Sequence, residues 1–373
     1  MRIVILTGIF PPEIGGPATY VEQLALKLHE KGINVEVLCY SDRELKKKYK
    51  FRIKRISKRY PVFIRNFIHL PVFLMGIVRN DFIYILSTSP GIAFLPLVLA
   101  KFLRKKVLVR PGSDFLWDRA IQRGEKDFTI PEFYRAGVFK KNKFSYFIFK
   151  YLIRSVDFIV FPTSFLKNLY IKYYQLDESK SEIVDYPFPD VSVFNKRDIS
   201  GIKEIITACR LVRFKNLSRL IDAFSMINRE GVVLKIIGDG PQENDLKKRV
   251  AQNKLEKRVI FEKTLPHDEL MERIKNSYLV VIPSIFEPGS FLALECIKLG
   301  IPILFTKEAG LYERFKNTLI FIDPLNASDI KEKIEYLLDK KNWLEYRQKM
   351  SQIDTIRNWS DVADDHIEIF KRL

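Results

Sequence analysis

Short apolar runs recur along the chain, each followed by a polar turn and then apolar residues at helical spacing. In the first half, residues 2–7, 35–39, 82–86, 107–109 and 157–161 read as strands. Val/Ile-rich runs of this length, without strict alternation, suit strands buried on both faces of a parallel sheet. Helices are predicted over about Ala18–Lys31, with Val21, Leu24, Ala25 and Leu28 on one face and Gly32 as the stop. Others are predicted over Gly91–Leu103 and about Lys141–Ser155, the aromatic residues of the last reading mostly as core. The second half repeats the alternation, with strands at 204–208, 233–237, 259–261, 280–282 and 303–305 and a closing helix over about Ser360–Lys371. Strand–helix alternation of this kind predicts an α/β protein with parallel sheets.

A length of 373 residues suggests two or three domains. Asp185–Ser200, with Pro187, Pro189 and several polar residues, reads as the linker between an N-terminal domain, 1–186, and a second domain from 202. Cys39, Cys209 and Cys296 are scattered, which implies no disulfide framework and fits a reducing cytosol. The opening Met1–Thr7 is a strand pattern, too short for a signal-peptide core. Tyr60–Val78 is the best membrane-span candidate, but Arg65, Asn66 and His69 interrupt it, and Ile92–Leu103 is too short. No transmembrane helix is expected.

The chain carries a net +18, and residues 1–186 hold 32 Lys+Arg against 17 Asp+Glu. The first half is therefore expected to meet an anionic partner: nucleic acid, an anionic membrane face or a lipid-linked phosphate. The densest run is 43–59, from Arg43 through Lys46 to Arg59, which reads either as a solvated face or as a basic margin. Beside it Phe63, Phe67, Leu70, Phe73 and Leu74 recur at helical spacing, a pairing that suits a monolayer surface as well as plain packing.

The candidate chemistry centres on Val280–Phe305, a strand–loop–helix–strand unit. Glu287 lies in the loop after the strand, and Glu295 lies one and a half turns into the helix that Ser290 can cap. Gly289 and Ser290 place backbone N–H groups at the helix start, where ligands of open parallel sheets bind. In the first half, Gly15 and Gly16 stand in the loop between the first strand and its helix, a ready anion or sugar site that lacks the spacing of a dinucleotide fingerprint. Arg210 and Lys215 flank another strand–helix turn, where two cations can aim at one diphosphate. Gly238-Asp239-Gly240 forms a tight turn. Asp114 follows the strand 107–109 and reads equally as an N-cap or a sugar contact. There is no Asp-x-Asp, His-Glu-x-x-His or Cys-x-x-Cys, so no protein-held metal is expected.

Glu287, seven residues, then Glu295, between Pro283-Ser284 and Gly300-x-Pro302, resembles the signature of retaining GT-B glycosyltransferases of the group 1 / family 4 type. Arg210-x-x-x-x-Lys215, the Gly238-x-Gly240 turn and the paired Gly15-Gly16 are similar to further family motifs. The resemblance implies two Rossmann-like, doubly wound domains facing across a cleft: an N-terminal acceptor domain, 1–186, and a nucleotide-sugar domain, 202–357. A crossover helix, 358–373, would return to the first domain. It implies that Glu287 faces the donor sugar, with Gly289, Ser290 and Phe291 beside it, and that Glu295 holds the ribose. Arg210 and Lys215 would clamp the diphosphate, backbone at Lys263 and Leu265 would meet the base, and Gly15, Gly16 and Gly238 would line the donor site. Two departures stand out. Pro288-Gly289-Ser290-Phe291 replaces the usual Gly-Phe-Gly, and no histidine follows the strand 107–109, where Asp114 becomes the candidate for the sugar contact.

The implied function is hexosyl transfer from a UDP- or GDP-sugar to a glycan or lipid-linked acceptor, without metal or cofactor. The setting would be cell-surface polysaccharide or glycolipid synthesis, in the cytoplasm or on the inner membrane face. A non-catalytic nucleotide or sugar sensor on the same fold is the main alternative. A nucleic-acid binder would explain the charge, but the chain has no zinc-finger, helix-turn-helix or RRM-like pattern.

Overall fold

The computed structural model describes residues 1–44, 47–124, 127–191 and 201–373. Most of the expected linker, 192–200, and Lys46 of the basic run lie outside the described residues, as does the side chain of Phe63. The chain forms two compact units. One comprises Met1–Asp118, Tyr134–Pro187 and Arg357–Leu373; the other comprises Arg119–Phe133 and Phe188–Ile356. Residues 119–133, expected in the first domain, thus belong to the second unit. Asp127 ties them there, through Arg213 Nε at 3.1 Å and Arg219 at 3.4 Å.

The first unit is built on seven strands: β1 (Arg2–Thr7), β2 (Asn34–Tyr40), β3 (Arg52–Ile56), β4 (Phe82–Leu86), β5 (Lys106–Val109), β6 (Phe158–Phe161) and β7 (Ser181–Ile183). They run parallel in the order β3-β2-β1-β4-β5-β6-β7. The second unit has β8 (Lys203–Ala208), β9 (Val232–Ile237), β10 (Val259–Glu262), β11 (Leu279–Ile282), β12 (Ile303–Thr306) and β13 (Ile320–Ile322). Its order is β10-β9-β8-β11-β12-β13, again parallel. Each order reverses once, between β1 and β4 and between β8 and β11. Such switch points open a crevice at the carboxyl ends of the strands, because the flanking connections leave in opposite directions.

The sheets are cores in the sense the apolar runs predict: Ile3, Val4, Ile5, Val280 and Val281 are wholly buried. The closing helix, Trp359–Arg372, begins at a capping box formed by Asn358 and Asp361. It packs on Gly16–Glu30 within the first unit. Trp359 meets Tyr20 edge-on at 5.4 Å, and Tyr84 Oη lies 2.9 Å from His366 Nε2. Burial, helped by the nearby Arg110 charge, pushes the His366 imidazole down to about 3, so this contact is made by a neutral ring.

Three sequence expectations change. The basic run 43–59 is not simply a solvated face, because Arg52–Ile56 inside it is β3, the sheet edge. Its exposed Arg52 and Lys54 stand among the more buried Ile53 and Ile56, and charges of this kind protect an open edge from pairing with other strands. Tyr60–Val78 is two helices, Val62–Ile68 and Leu70–Arg79, separated at His69 before Pro71. In Lys143–Ser155 only Phe149, Leu152 and Ile153 are buried, while Phe144, Phe147 and Tyr151 face outward.

Candidate active site

The motif residues of the second unit converge on the switch point between β8 and β11. After β8 the chain passes Arg210 and makes a single 3₁₀ turn, Arg213–Lys215. Asn216 then adopts the left-handed region at φ 61°. Its amide donates to Pro283 O at 2.9 Å and Pro324 O at 2.7 Å, which anchors the turn to the end of β11. Ile285 N donates to Phe214 O at 2.8 Å and closes the same seam. These bonds bring Lys215 to the loop after β11.

Lys215 Nζ donates to Glu287 Oε2 at 2.6 Å, and Ser284 Oγ donates to the same oxygen at 2.8 Å. Burial alone would lower the Lys215 pKa, but the Glu287 charge and hydrogen bond and the neighbouring Cys209 raise it above the usual lysine range. The ammonium is therefore charged at any physiological pH. The Glu287 backbone is pinned in turn: its N–H donates to Glu308 O at 3.0 Å, and its carbonyl accepts from Gly310 N at 2.8 Å. Arg210 is exposed, with no carboxylate in ion-pair range among the described residues. The turn thus offers one cation committed to Glu287 and one open to an anion.

The Gly238 turn supports Arg210 from below. Gly238 has φ +146°, and a Cβ there would stand 1.9 Å from Cys209 O; at Gly240 it would stand 2.4 Å from Leu211 O. Only glycine lets the two backbones approach so closely. Leu211 N donates to Asp239 O at 2.9 Å across this contact. Gly238 therefore acts by fixing the Arg210 turn. Asp239 also accepts from Thr264 N at 3.0 Å, while Lys263 Nζ reaches Asp239 at 3.1 Å and Glu243 at 2.9 Å. The Thr264 bonds and Lys263 hold the Asp239 carboxyl down at about 2. These contacts join the Lys263–Leu265 loop to the same strand ends.

Ser290 caps Phe291–Leu299 through Ala293 N at 3.2 Å, as the sequence predicts, and Gly300 ends the helix at φ 66°. Gly289 and Phe291 flank that cap and are partly exposed. Glu295, buried on this helix, meets His267 Nε2 at 2.7 Å through Oε1. The Glu295 hydrogen bond outweighs partial burial and raises the His267 pKa. Sequence reasoning missed His267, Asn216 and Ser284 as site residues. His267 lies 28 residues from Glu295, so no local spacing reports the pair.

In the first unit Gly15 is the N-cap of Gly16–Glu30, at the carboxyl end of β1 beside the switch point. No side chain caps this helix and its first turn holds no acid, so its leading N–H groups keep their positive end uncompensated. Asp114 departs from expectation. It is wholly buried, caps Trp117 N at 2.9 Å, and accepts from Tyr134 at 2.8 Å and Tyr174 at 2.6 Å through Oδ2. The N-cap reading holds, and the carboxylate has no exposed surface. Burial raises its pKa against these bonds, and burial together with Asp114 pushes neighbouring Asp118 up to about 7. Among the described residues no group of three His, Cys, Asp or Glu side chains could hold a metal ion, and no helix is long and apolar enough to cross a membrane.

Two parallel-sheet units, with cations and carboxylates gathered at a switch point, define a doubly wound α/β protein. The family model for glycosyl transferases group 1 matches residues 193–355, and that for glycosyltransferase family 4 matches 14–186. The chain belongs to the GT-B glycosyltransferases. It is 27% identical over 174 residues to an uncharacterized glycosyltransferase of Methanocaldococcus jannaschii, a match spanning 45% of each chain. It is 20% identical to alpha-monoglucosyldiacylglycerol synthase of Streptococcus pneumoniae, over 82% of this chain and 70% of that one. Among solved structures, Anabaena HepE in complex with UDP-glucose matches with a TM-score of 0.79 at 15% identity, covering both chains fully.

Proposed function

We propose that the protein transfers a hexosyl group, with retention of anomeric configuration, from a nucleotide sugar to a glycan or lipid-linked acceptor. The observation that carries this is the Lys215–Glu287 pair at 2.6 Å beside the exposed Arg210, at the second switch point. In this reading the acceptor hydroxyl oxygen bonds to the anomeric carbon on the face from which the diphosphate leaves, and the hydroxyl proton passes to the departing phosphate oxygen. Arg210, Lys215 and the helix start at Ser290 meet the charge left on the diphosphate, so the step needs no metal. Such preorganised groups contribute roughly 3–4 kcal/mol each to a developing anion. Glu287 keeps Oε1 for the donor sugar, and Glu295 holds the ribose with His267 behind it. Backbone at Lys263 and Leu265 meets the base; within the first unit, Gly15 and Gly16 present an open helix N-terminus suited to an anionic group. Asp114 takes no part in contact.

A UDP-sugar is the first donor to try, since a structural neighbour is described with UDP-glucose, and a GDP-sugar the next. The diacylglycerol-glucosylating name of one relative supports a lipid-linked acceptor, and with it a place on the inner membrane face in glycolipid or surface-polysaccharide synthesis. The test is donor turnover with chelator present, with the anomeric configuration of the product read by NMR. Retention supports the reading; an inverted product overturns the mechanism. Tight nucleotide-sugar binding without turnover on any glycan or lipid acceptor would make the protein a sensor.

A further inference from the structure

The helices on one face of the first sheet are apolar on their outer side. Right-handed crossovers put the connections that step from β3 toward β7 on one face. These include Val62–Ile68, Leu70–Arg79, Pro90–Phe102 and Lys143–Ser155, which pack in sequence, with Pro90–Phe102 touching the other three. Their inner sides supply core residues such as Phe73, Leu97 and Phe149. Their outer sides carry large apolar residues beside Lys and Arg. Phe94, Val98 and Phe102 recur four apart on one helix face, and Phe144, Phe147 and Tyr151 share a face of another. Phe67 is 76% exposed, Phe102 84%, Phe144 75%, Phe147 70% and Tyr151 71%. A contiguous outward layer of this kind marks an interaction surface.

Charge selects the occupant. Residues 58–106 and 138–155 together hold thirteen Lys and Arg and a single acid, Asp81. Lys58, Arg59, Arg104, Lys106, Lys141 and Arg154 are among those exposed. A second copy seated on this face would set two basic surfaces against each other. Nucleic acid would use the cations and leave the outward aliphatic residues, Ile64, Met75 and Val98, in water. A bilayer with anionic headgroups uses both features: apolar tips enter the headgroup–acyl boundary while Lys and Arg meet phosphates.

We propose that this helical layer is a docking face for an anionic bilayer, with Phe67, Phe102, Phe144, Phe147 and Tyr151 as its inserting residues. It extends the basic margin read from residues 43–78 to two helices, Pro90–Phe102 and Lys143–Ser155, whose apolar positions look like core in the sequence. The proposal does not rest on the Arg210, Lys215 and Glu287 cluster of the other unit, so docking and nucleotide binding succeed or fail separately.

The test is co-sedimentation of the full chain with vesicles of equal phosphatidylcholine and phosphatidylglycerol, against phosphatidylcholine alone. Binding to the mixed vesicles is expected, with a steep fall as salt rises. The triple variant Phe102→Ser, Phe144→Ser, Phe147→Ser should melt as wild type does and bind at least about tenfold more weakly. In a second variant, Phe102→Trp, brominated acyl chains should quench the new indole, whereas the native Trp117, Trp343 and Trp359 are buried. Undiminished vesicle binding by the triple variant, or no quenching at position 102, overturns the proposal. So does a concentration-dependent dimer that the triple variant abolishes, which would assign the face to a second copy.

Discussion

Lys215 and Glu287, 72 residues apart, form an ion pair of 2.6 Å between the ends of β8 and β11. Neither side chain is more than about a fifth exposed, and Ser284 supports the carboxylate on the same oxygen. Each partner supplies the counter-charge that the other's burial calls for.

Removing Lys215 therefore has two effects. Turnover in Lys215→Ala should fall by about 10²–10³-fold, the scale of one lost oxyanion-type contact. Stability should fall by about 3–5 kcal/mol, because Glu287 stays buried without its counter-charge. Glu287→Gln keeps the shape and the Ser284 bond, so it should lose less stability and still lose turnover. Kinetics beside denaturant melts separate the two effects. Wild-type turnover in folded Lys215→Ala would remove the clamp.

Gly238→Ala should cost at least about 3 kcal/mol, the upper range for an overpacked site. The new Cβ would overlap Cys209 O at 1.9 Å, so the Arg210 turn must move. Thermal melts check the cost. A neutral outcome would mean that the turn yields easily and does not fix Arg210.

Asp114→Ala should destabilise by about 2–4 kcal/mol, since the buried Tyr134 and Tyr174 hydroxyls lose a shared acceptor. Nucleotide affinity should not change. An intact fold with lost donor binding would restore the sugar-contact role.

His267 predicts a pH dependence. Its folded pKa lies above the ordinary 6.5, raised first by the Glu295 hydrogen bond. The stabilisation is therefore fully present below about 6.5 and lost as pH rises through the folded value. Between the two, wild type should lose melting temperature relative to His267→Ala, and the curves should run parallel at higher pH. Parallel curves throughout would show that the contact adds nothing.

Much of the fold was legible because buried parallel strands are short apolar runs, and the described residues hold thirteen strands in two series. β3 was hidden by its own charges, as this edge strand sets Arg and Lys among its isoleucines. The outward aromatics of Lys143–Ser155 were read as core because helical spacing shows that a face is apolar, not which way it points. The motif residues of the second unit were found through turns and spacing, since each follows a strand end. Asn216 and His267 escaped because their work is done across the fold, at Pro283, Pro324 and Glu295. Asp114 carried two readings, and only burial could separate them.

A nucleotide-sugar site at the β8–β11 switch point should be seen as ligand-dependent stability. Thermal shift against UDP, GDP, ADP and their sugar conjugates, in wild type and Glu295→Ala, tests it most directly. A ligand at about 100 times its Kd stabilises by about 2.7 kcal/mol, which a melt resolves. A shift with one nucleotide class, abolished in Glu295→Ala, is expected. No shift with any nucleotide, or a shift that survives Glu295→Ala unchanged, would contradict it.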